Sequence, residues 1–289
     1  MNRCIFLMLS LGLISAQIAF AQKHGKISVY LIGGQSNATG QGYMANMADT
    51  MKFDTTILLF HSGKPHLNSG KPALTWMPLR QASESADRFG PELGFSNKIR
   101  LYDHNKHIAI IKHAHSGTNL YNQWNPGKDA ADTAHWGQQF KVFVQTIDSG
   151  LNALRKMGYM PVIKGMLWQQ GENDAIKIDS ASLNYAKNLS HFISRVRQQY
   201  KTPKMPFVYG YVLPPPNTGA DRDLVRKAEH DVDQHSATPW AIKNAIVVFT
   251  DDLSLRANDK NTKYPKDIIH FGTNGTWVLG IRMAQKFAN

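Results

Sequence analysis

The fold of this chain is decided by the stretch Ile27-Ser28-Val29-Tyr30-Leu31-Ile32-Gly33-Gly34-Gln35-Ser36-Asn37. β-Branched and aromatic residues followed by two glycines predict a buried strand that ends in a tight turn. Such a turn presents the small hydroxyl of Ser36 at the carboxyl edge of a sheet, which is where open α/β sheets bind ligands. Ser36 is therefore a candidate nucleophile, although an ordinary Ser-Asn turn or a helix N-cap would leave the same pattern.

Beyond this stretch, strand-like and helix-like segments alternate along the chain, as a parallel sheet with helical crossovers requires. The predicted architecture is a doubly wound, three-layer α/β/α sandwich. Further strands are predicted at 57–60, 107–112, 162–168, 207–212 and 245–249. Helices are predicted at 91–102, 136–157, 182–200, 221–235 and 275–287, where apolar residues recur at helical spacing. Surface loops at 62–78 and Pro214-Pro215-Pro216 are expected to shape a substrate cleft.

The amino terminus has the form of a cleaved secretory signal. Arg3 precedes an apolar stretch at 5–14, and Ala19-Phe20-Ala21 supplies the small residues of a cleavage site. The apolar stretch is shorter than the ~20 residues that span a bilayer, which disfavours a membrane anchor. We expect residues 1–21 to be a signal peptide and 22–289 to form one domain. The mature protein would be secreted or periplasmic, without stable membrane insertion and without Cys4, the only cysteine.

The chain is basic, with a formal net charge of +12 at pH 7. Basic proteins attract polyanions without a specific site, so nucleic acid is one partner to consider. The lysines are dispersed, however, and no basic run alternates with aromatic residues. The composition therefore favours a basic surface that keeps the protein near anionic cell-surface or plant-wall polymers, and it disfavours a nucleic-acid partner.

Two further segments gather polar groups at the expected edge of the sheet. Phe89-Gly90-Pro91-Glu92-Leu93-Gly94 puts a glycine before a proline-initiated helix, which either exposes the Gly90 N–H or simply joins a loop to a helix. Trp168-Gln169-Gln170-Gly171-Glu172-Asn173-Asp174 brings adjacent amides and carboxylates to the end of the predicted strand 162–168. The Gln170 amide could complete an oxyanion hole, whose donors must meet the charge that develops in a tetrahedral intermediate.

Asp267-Ile268-Ile269-His270 supplies the base and the carboxylate that a serine nucleophile requires. On one turn of chain, a carboxylate three residues before a histidine can reach Nδ1–H and leave Nε2 free for the serine proton. The spacing alone is weak evidence, because other histidines also cluster: His113-Ala114-His115 would put two imidazoles on one face of a strand. A metal site there is disfavoured because no third ligand stands out nearby, and we expect no metal and no cofactor.

Taken together, these segments resemble the SGNH hydrolase superfamily, and within it the sialate O-acetylesterase-like group that includes the acetylxylan esterases of carbohydrate esterase family 6. The resemblance spans nearly the whole mature chain and also includes Lys112-His113-Ala114-His115-Ser116-Gly117-Thr118-Asn119-Leu120. Ala38 occupies the last position of the G-x-S-x-G elbow, which disfavours the α/β-hydrolase fold. Two departures from the group concern fine substrate contacts: Ser116 replaces the first glycine of a Gly-Gly-Thr turn, and Glu229 stands where glutamine is usual.

The resemblance implies a Ser-His-acid hydrolase that removes O-acetyl groups from carbohydrate without a metal. Carried over by position, Ser36 is the nucleophile, His270 the general base and Asp267 the orienting acid. Relatives with this pattern also bring the glutamate close to the histidine, so Glu172 is a partner or substitute for the acid.

The oxyanion hole that the resemblance implies consists of the backbone N–H groups of Ser36 and Gly90 and the side-chain amide of Gln170. In the wider superfamily an asparagine commonly supplies the last donor, and this branch resembles those that use glutamine. Substrate contacts are expected from four residues within these motifs, which are Gln35, Asn37, Trp168 and Thr118.

The substrate implied is an acetylated polysaccharide such as xylan, and sialic acid and other short-chain acyl esters stay open as alternatives. A different class of function is a non-catalytic carbohydrate-binding protein on a hydrolase fold, with Trp76, Trp124 and Trp136 as sugar platforms. Such a protein would be expected to have lost Ser36 or His270, and the chain retains both.

Overall fold

The fold is described from a computed structural model, which covers residues 24–62, 74–176, 179–212 and 220–288. The predicted signal peptide, the Pro214-Pro215-Pro216 loop and most of the predicted loop 62–78 lie outside these ranges. Within the ranges, no helix has the length and apolar character needed to cross a membrane.

The described residues form nine strands, seven of which build one central sheet. The strands are β1 (Gly25–Gly34), β2 (Gly42–Tyr43), β3 (Leu58–His61), β4 (Met77–Pro78), β5 (Arg88–Phe89), β6 (Ile108–Lys112), β7 (Tyr159–Gln169), β8 (Phe207–Gly210) and β9 (Ala245–Val248). The order in the central sheet is β4-β3-β6-β1-β7-β8-β9, while β2 pairs with β5 in a separate ribbon. Every pairing in the central sheet is parallel except that of β4 with β3. The six predicted strands are confirmed, and the antiparallel edge strand β4 was not predicted.

Helices connect the strands at the predicted places. They are α1 (Ser36–Thr39), α2 (Pro91–Ile99), α3 (Gln138–Lys156), α4 (Asp179–Leu183), α5 (Tyr185–Gln199), α6 (Ala220–Val232) and α7 (Thr273–Gln285). The predicted helix 182–200 is divided at Asn184, where α4 ends and α5 begins.

Two apolar clusters show that helices cover both faces of the sheet. On β1, Ile27, Val29 and Leu31 join one cluster together with residues of α3, α5 and α6. The alternate residues Tyr30 and Ile32 join the other cluster, with residues of α2 and α7. This alternation is what a strand buried on both faces requires, and the predicted three-layer α/β/α sandwich is confirmed.

Trp168 lies inside the first of these clusters. Its side chain is 1% exposed, and its rings lie 4.9 Å from those of Trp124 and 4.5 Å from Phe192. This placement contradicts the predicted substrate contact, because the last residues of a central strand alternate between the sheet faces and Trp168 points into the core. Trp124 is equally buried, so it cannot serve as a sugar platform.

The ends of β1 and β7 approach each other closely at the carboxyl edge. Gly34 has a φ of +135°, and a Cβ atom on this residue would lie 2.1 Å from the Gln169 carbonyl oxygen. Only glycine fits this combination of backbone conformation and contact. The close approach brings the turn after β1 against the polar turn after β7.

Candidate active site

Ser36 begins α1 directly after the turn that ends β1. Its Oγ lies 2.9 Å from Nε2 of His270, although 234 residues separate the two in sequence. His270 Nδ1 lies 2.9 and 2.8 Å from the two carboxylate oxygens of Asp267. Ser36 is 6% exposed and the His270 ring is partly exposed, so the structure brings three predicted residues into one connected chain at the surface.

A tight turn of backbone keeps the acid and the base together. Oδ1 of Asp267 accepts hydrogen bonds from the backbone N–H groups of Ile269, at 3.4 Å, and His270, at 3.2 Å. The carboxylate therefore caps the turn that carries the histidine. Because Asp267 and His270 stand on the same turn, no distant element is needed to bring the carboxylate to the imidazole.

Asp267 is held in its ionised form. Burial raises the pKa of this carboxyl, but the hydrogen bond and charge of His270, the Ile269 N–H and the charge of Arg256 together hold the pKa below its usual value. An ionised carboxylate on Nδ1 fixes the imidazole tautomer in which Nε2 is the proton acceptor. The geometry and the charge thus place an ionised carboxylate against Nδ1 of His270.

Glu172 lies in a different position from a triad acid. It is 3% exposed, and its Oε1 accepts a hydrogen bond from Asn37 Nδ2 at 2.7 Å. Burial raises the pKa of Glu172, which favours the neutral acid. Among the described residues, no hydrogen bond joins Glu172 to His270, and Asn37 connects the glutamate to the backbone of the histidine loop.

Asn37 connects the nucleophile turn to the histidine loop. Besides its bond to Glu172, Nδ2 donates to the Ile269 carbonyl at 3.0 Å, and Oδ1 accepts the Phe271 N–H at 3.0 Å. Asn37 thus holds the residues on both sides of His270. Its amide is fully committed and 1% exposed, which contradicts the predicted substrate contact and makes Asn37 a brace.

Two of the three predicted oxyanion donors are already occupied. The Gly90 N–H donates to Glu92 Oε1 at 2.9 Å. The Gln170 Nε2 donates to Gln35 Oε1 at 3.1 Å, the Thr118 carbonyl at 3.0 Å and Asp174 Oδ2 at 2.6 Å. Since an amide has two hydrogens and three acceptors surround it here, neither Gln170 nor Gly90 has a hydrogen free for an oxyanion.

The Ser36 N–H differs from these donors. It opens α1, and the first N–H groups of a helix have no partner within the helix. No hydrogen bond from it to another described residue is present. Of the three predicted donors, Ser36 alone has an N–H that no group in the described part of the chain accepts.

Gln35 and Thr118 belong to the scaffold behind the site. Gln35 Oε1 accepts bonds from Gln170 Nε2 and from the backbone N–H groups of Gly171, at 3.4 Å, and Asn173, at 3.2 Å. Thr118 Oγ1 donates to the His115 carbonyl at 2.7 Å and accepts Trp124 Nε1–H at 2.9 Å. The Thr118 hydroxyl is buried and bonded to two protein groups, and its contact with substrate stays a prediction.

A buried ion pair lies beneath the short helix α1 that Ser36 begins, and no sequence motif predicted this pair. Lys112 Nζ lies 2.6 Å from Glu92 Oε2 and donates to the carbonyl oxygens of Thr39, at 2.9 Å, and Ala82, at 2.7 Å. Both charged side chains are fully buried. The sequence does carry one signal for this pair, which is the lysine at the end of the apolar strand β6. A lysine in such a buried position requires a partner of opposite charge.

His113 is one of the two neighbouring histidines at which the sequence disfavours a metal site. Its Nδ1 lies 2.8 Å from Ser62 Oγ and its Nε2 lies 3.0 Å from Gln139 Oε1, so both ring nitrogens are used. Burial lowers the pKa of His113 to about 4. No group of three or more potential metal ligands is found among the residues that the structure covers.

A family model described as "Carbohydrate esterase, sialic acid-specific acetylesterase" matches residues 26–289. An Arabidopsis thaliana protein named as a probable carbohydrate esterase is 24% identical over 200 residues, which are 68% of this chain and 63% of that protein. The chain therefore spans less than two thirds of the length of this relative.

Solved structures share the fold. A structure of an Arabidopsis thaliana protein superposes with a TM-score of 0.66 and 18% identity over 90% of this chain and 97% of that one. For NanS the TM-score is 0.67 and the identity 15%, over 91% and 96% of the two chains. A carbohydrate acetylesterase from Xanthomonas citri gives a TM-score of 0.57 and 19% identity, over 89% of this chain and 55% of that one.

Proposed function

Because the chain belongs to the carbohydrate esterase family of sialic acid-specific acetylesterases, we propose that it removes O-acetyl groups from carbohydrate with Ser36 as the nucleophile. The observation that supports this proposal best is the connected chain from Ser36 Oγ through His270 to Asp267. A non-catalytic carbohydrate-binding protein has no use for a serine hydroxyl aligned on a base whose second nitrogen is paired with an ionised carboxylate.

The reaction takes place in two steps. In the first, His270 Nε2 accepts the proton of the Ser36 hydroxyl while Oγ attacks the acetyl carbonyl carbon. The tetrahedral intermediate collapses when His270 returns that proton to the sugar oxygen, which leaves with acetyl bound to Ser36. In the second step water attacks the acetyl carbon, gives its proton to His270 and releases acetate, and the proton returns to Ser36.

The negative charge of each intermediate develops on the former carbonyl oxygen next to Ser36. The Ser36 N–H supports this charge at the start of α1, where its hydrogen has no acceptor among the residues that the structure describes. Gly90 and Gln170 act behind the site, since their N–H groups hold Glu92 and Asp174. They keep the neighbouring loops in position and are not donors to the oxyanion.

For the substrate we favour an acetylated plant-wall polysaccharide such as xylan. The net charge of +12 supports this choice because it attracts polymers that carry acidic groups. The family description favours a second candidate, O-acetylated sialic acid. The signal-like sequence at 1–21 supports a secreted or periplasmic location, with 22–289 as the mature domain.

Acetate release tests the proposal. Purified protein is incubated separately with acetylated xylan, O-acetylated sialic acid and an aryl acetate, beside Ser36→Ala and the control Ser194→Ala, whose hydroxyl bonds to the Ser190 carbonyl within α5. We expect acetate from the aryl ester and one carbohydrate, abolished only by Ser36→Ala. Acetate from sialic acid alone would replace xylan as the substrate. No acetate from any of the three, with a folded protein, would overturn the proposal.

A further inference from the structure

Arg256 lies against the acid of the Ser36–His270–Asp267 chain. Its Nη1 is 3.2 Å from Asp267 Oδ2, the oxygen that also lies 2.8 Å from His270 Nδ1. The arginine is 4% exposed and begins a 3₁₀ turn over Arg256–Asn258. Nothing in the sequence pattern singled it out, because it is 11 residues from Asp267 and outside the motifs.

The arginine is fixed by contacts on several sides. Its Nε and Nη2 lie 3.3 and 3.2 Å from the Tyr43 hydroxyl. Its guanidinium lies over the Tyr264 ring, 3.6 Å from the centroid. Its backbone N–H donates to the His270 carbonyl at 2.8 Å, so one residue contacts both the acid and the base loop.

We infer that Arg256 is a positioning residue for ester hydrolysis, which orients the Asp267 carboxylate and limits how strongly the Asp267–His270 pair binds a proton. The inference rests on the proposed function for its rate consequences. A charge-assisted bond to Oδ2 stops the carboxylate from rotating, because Oδ1 is held by the turn and Oδ2 by the guanidinium. The carboxylate plane is then set before substrate binds.

The guanidinium also acts through its charge. A cation beside the carboxylate opposes protonation of Asp267, so the carboxylate on Nδ1 of His270 stays ionised at lower pH. Burial raises the pKa of Glu172, the other carboxyl near His270, and so favours its neutral form. Arg256 is charged and lies in direct contact with Asp267. Among the described residues, the titratable or charged groups around Arg256, Asp267 and His270 are Glu172, Tyr43, Tyr264 and Arg88. The Arg88 guanidinium lies 5.6 Å from the centroid of each of the two tyrosine rings.

The test compares Arg256→Met, which removes the charge and the fork, with Arg256→Lys, which keeps the charge alone. Arg100→Met is the matched control, because Arg100 forms an Arg–Asp pair with Asp54, in the turn before β3 at the opposite edge of the sheet. The readouts are kcat and KM for an aryl acetate across pH, and the titration of the Asp267–His270 pair followed by NMR.

For Arg256→Met we expect kcat to fall roughly tenfold with little change in KM, less than the ~10²–10⁴-fold that a general acid or base itself contributes, because Arg256 acts only through Asp267. The acid limb of kcat/KM and the NMR midpoint of the pair should both move to higher pH, because the cation beside the Asp267 carboxylate has been removed. Arg256→Lys should lose kcat but keep the limb near that of the parent protein. Arg100→Met should change neither.

A purely structural role would give a lower melting temperature with an unmoved NMR midpoint and an unmoved acid limb, and this result overturns the inference. If Arg256→Met does not fold, an Arg256→Lys variant with unchanged kcat overturns it as well. The NMR midpoint requires no turnover. A protein without esterase activity would therefore disprove the proposed function while still deciding whether Arg256 controls the pair.

Discussion

The side-chain amide of Asn37 lies 2.7 Å from the carboxyl oxygen of Glu172, a residue 135 positions further along the chain. Through the same amide, Asn37 holds the backbone on both sides of His270. The residue after Ser36 therefore joins three loops, those after β1 and β7 and the one before α7. Glu172 is the buried acceptor at the centre of this junction, and this role differs from that of Asp267.

We predict that the two acids respond differently to substitution. Asp267→Asn should lower kcat by about 10⁴-fold, because it removes the charge that fixes the His270 tautomer. Glu172→Gln should retain most of the activity, since an amide oxygen can still accept the Asn37 hydrogen bond and burial already favours an uncharged group. Steady-state kinetics on an aryl acetate checks both. A larger loss for Glu172→Ala than for Asp267→Ala would show that the acid assignment is wrong.

Substitution of Asn37 should affect stability and turnover together. Asn37→Ala leaves the buried Glu172 Oε1 and the Phe271 N–H without partners, which costs about 1–3 kcal/mol for an unsatisfied group. We expect urea unfolding to show this loss and kcat to fall because the His270 loop is no longer held. Turnover at the level of the parent protein, in a folded variant, would refute a bracing role.

Gln170→Ala separates a support residue from an oxyanion donor. Loss of a true oxyanion donor typically lowers kcat about 10²–10³-fold. Because three protein acceptors surround the two amide hydrogens of Gln170, we expect a smaller loss of kcat, accompanied by a clear decrease in the free energy of unfolding. A full 10²–10³-fold loss in a variant of unchanged stability would restore Gln170 to the oxyanion hole.

The buried pair of Lys112 and Glu92 should behave as a unit. Lys112→Met leaves a buried carboxylate without its counter-ion and should cost roughly 3–5 kcal/mol. Adding Glu92→Gln removes that charge and keeps an acceptor for the Gly90 N–H, so the double variant should regain part of the stability. Unfolding free energies of the two singles and the double form a mutant cycle, and strictly additive effects would argue against a coupled pair.

Two buried histidines should make the protein less stable in mild acid. Burial lowers the pKa of His113 and of His61 to about 4, from 6.5. Between these values the unfolded chain binds protons that the folded protein does not, so stability is complete above pH 6.5 and declines as the pH falls towards 4. Urea unfolding at pH 7 and pH 5 measures this decline. His113→Gln should reduce it, whereas the exposed control His235→Gln should not.

The sequence predicted the sheet and the contact between Asp267 and His270 for a shared reason. β1 is a run of β-branched and aromatic residues stopped by glycines, and Asp267 and His270 are three residues apart, so both signals are local. Local signals predict the structure well when the folded protein keeps the turn or strand that they favour. The antiparallel strand β4, only two residues long, carries no such signal.

The errors share a cause as well. Trp168, Thr118, Asn37 and Gln170 stand in the expected motifs, but a motif does not state which way a side chain points. Each of them is buried against other groups of the protein, some close in sequence, as for Thr118 and His115, and some distant, as for Asn37 and Glu172. Arg256 and the pair of Lys112 and Glu92 were missed for the same reason, since their roles depend on contacts that only the assembled fold creates.

Ser36 near the start of the chain and His270 near its end have a consequence for biogenesis. Contacts of such long sequence range are among the slowest to form, because closing a long loop costs chain entropy before any contact compensates it. The aromatic core around Trp168 involves shorter loops, since Trp124, Phe192 and Phe207 flank it in sequence. During refolding, tryptophan burial should therefore precede the recovery of hydrolysis. We therefore expect a partly synthesised or misfolded chain to be inactive. Ser36 and His270 come together only after the part of the chain that carries His270 has packed against the sheet.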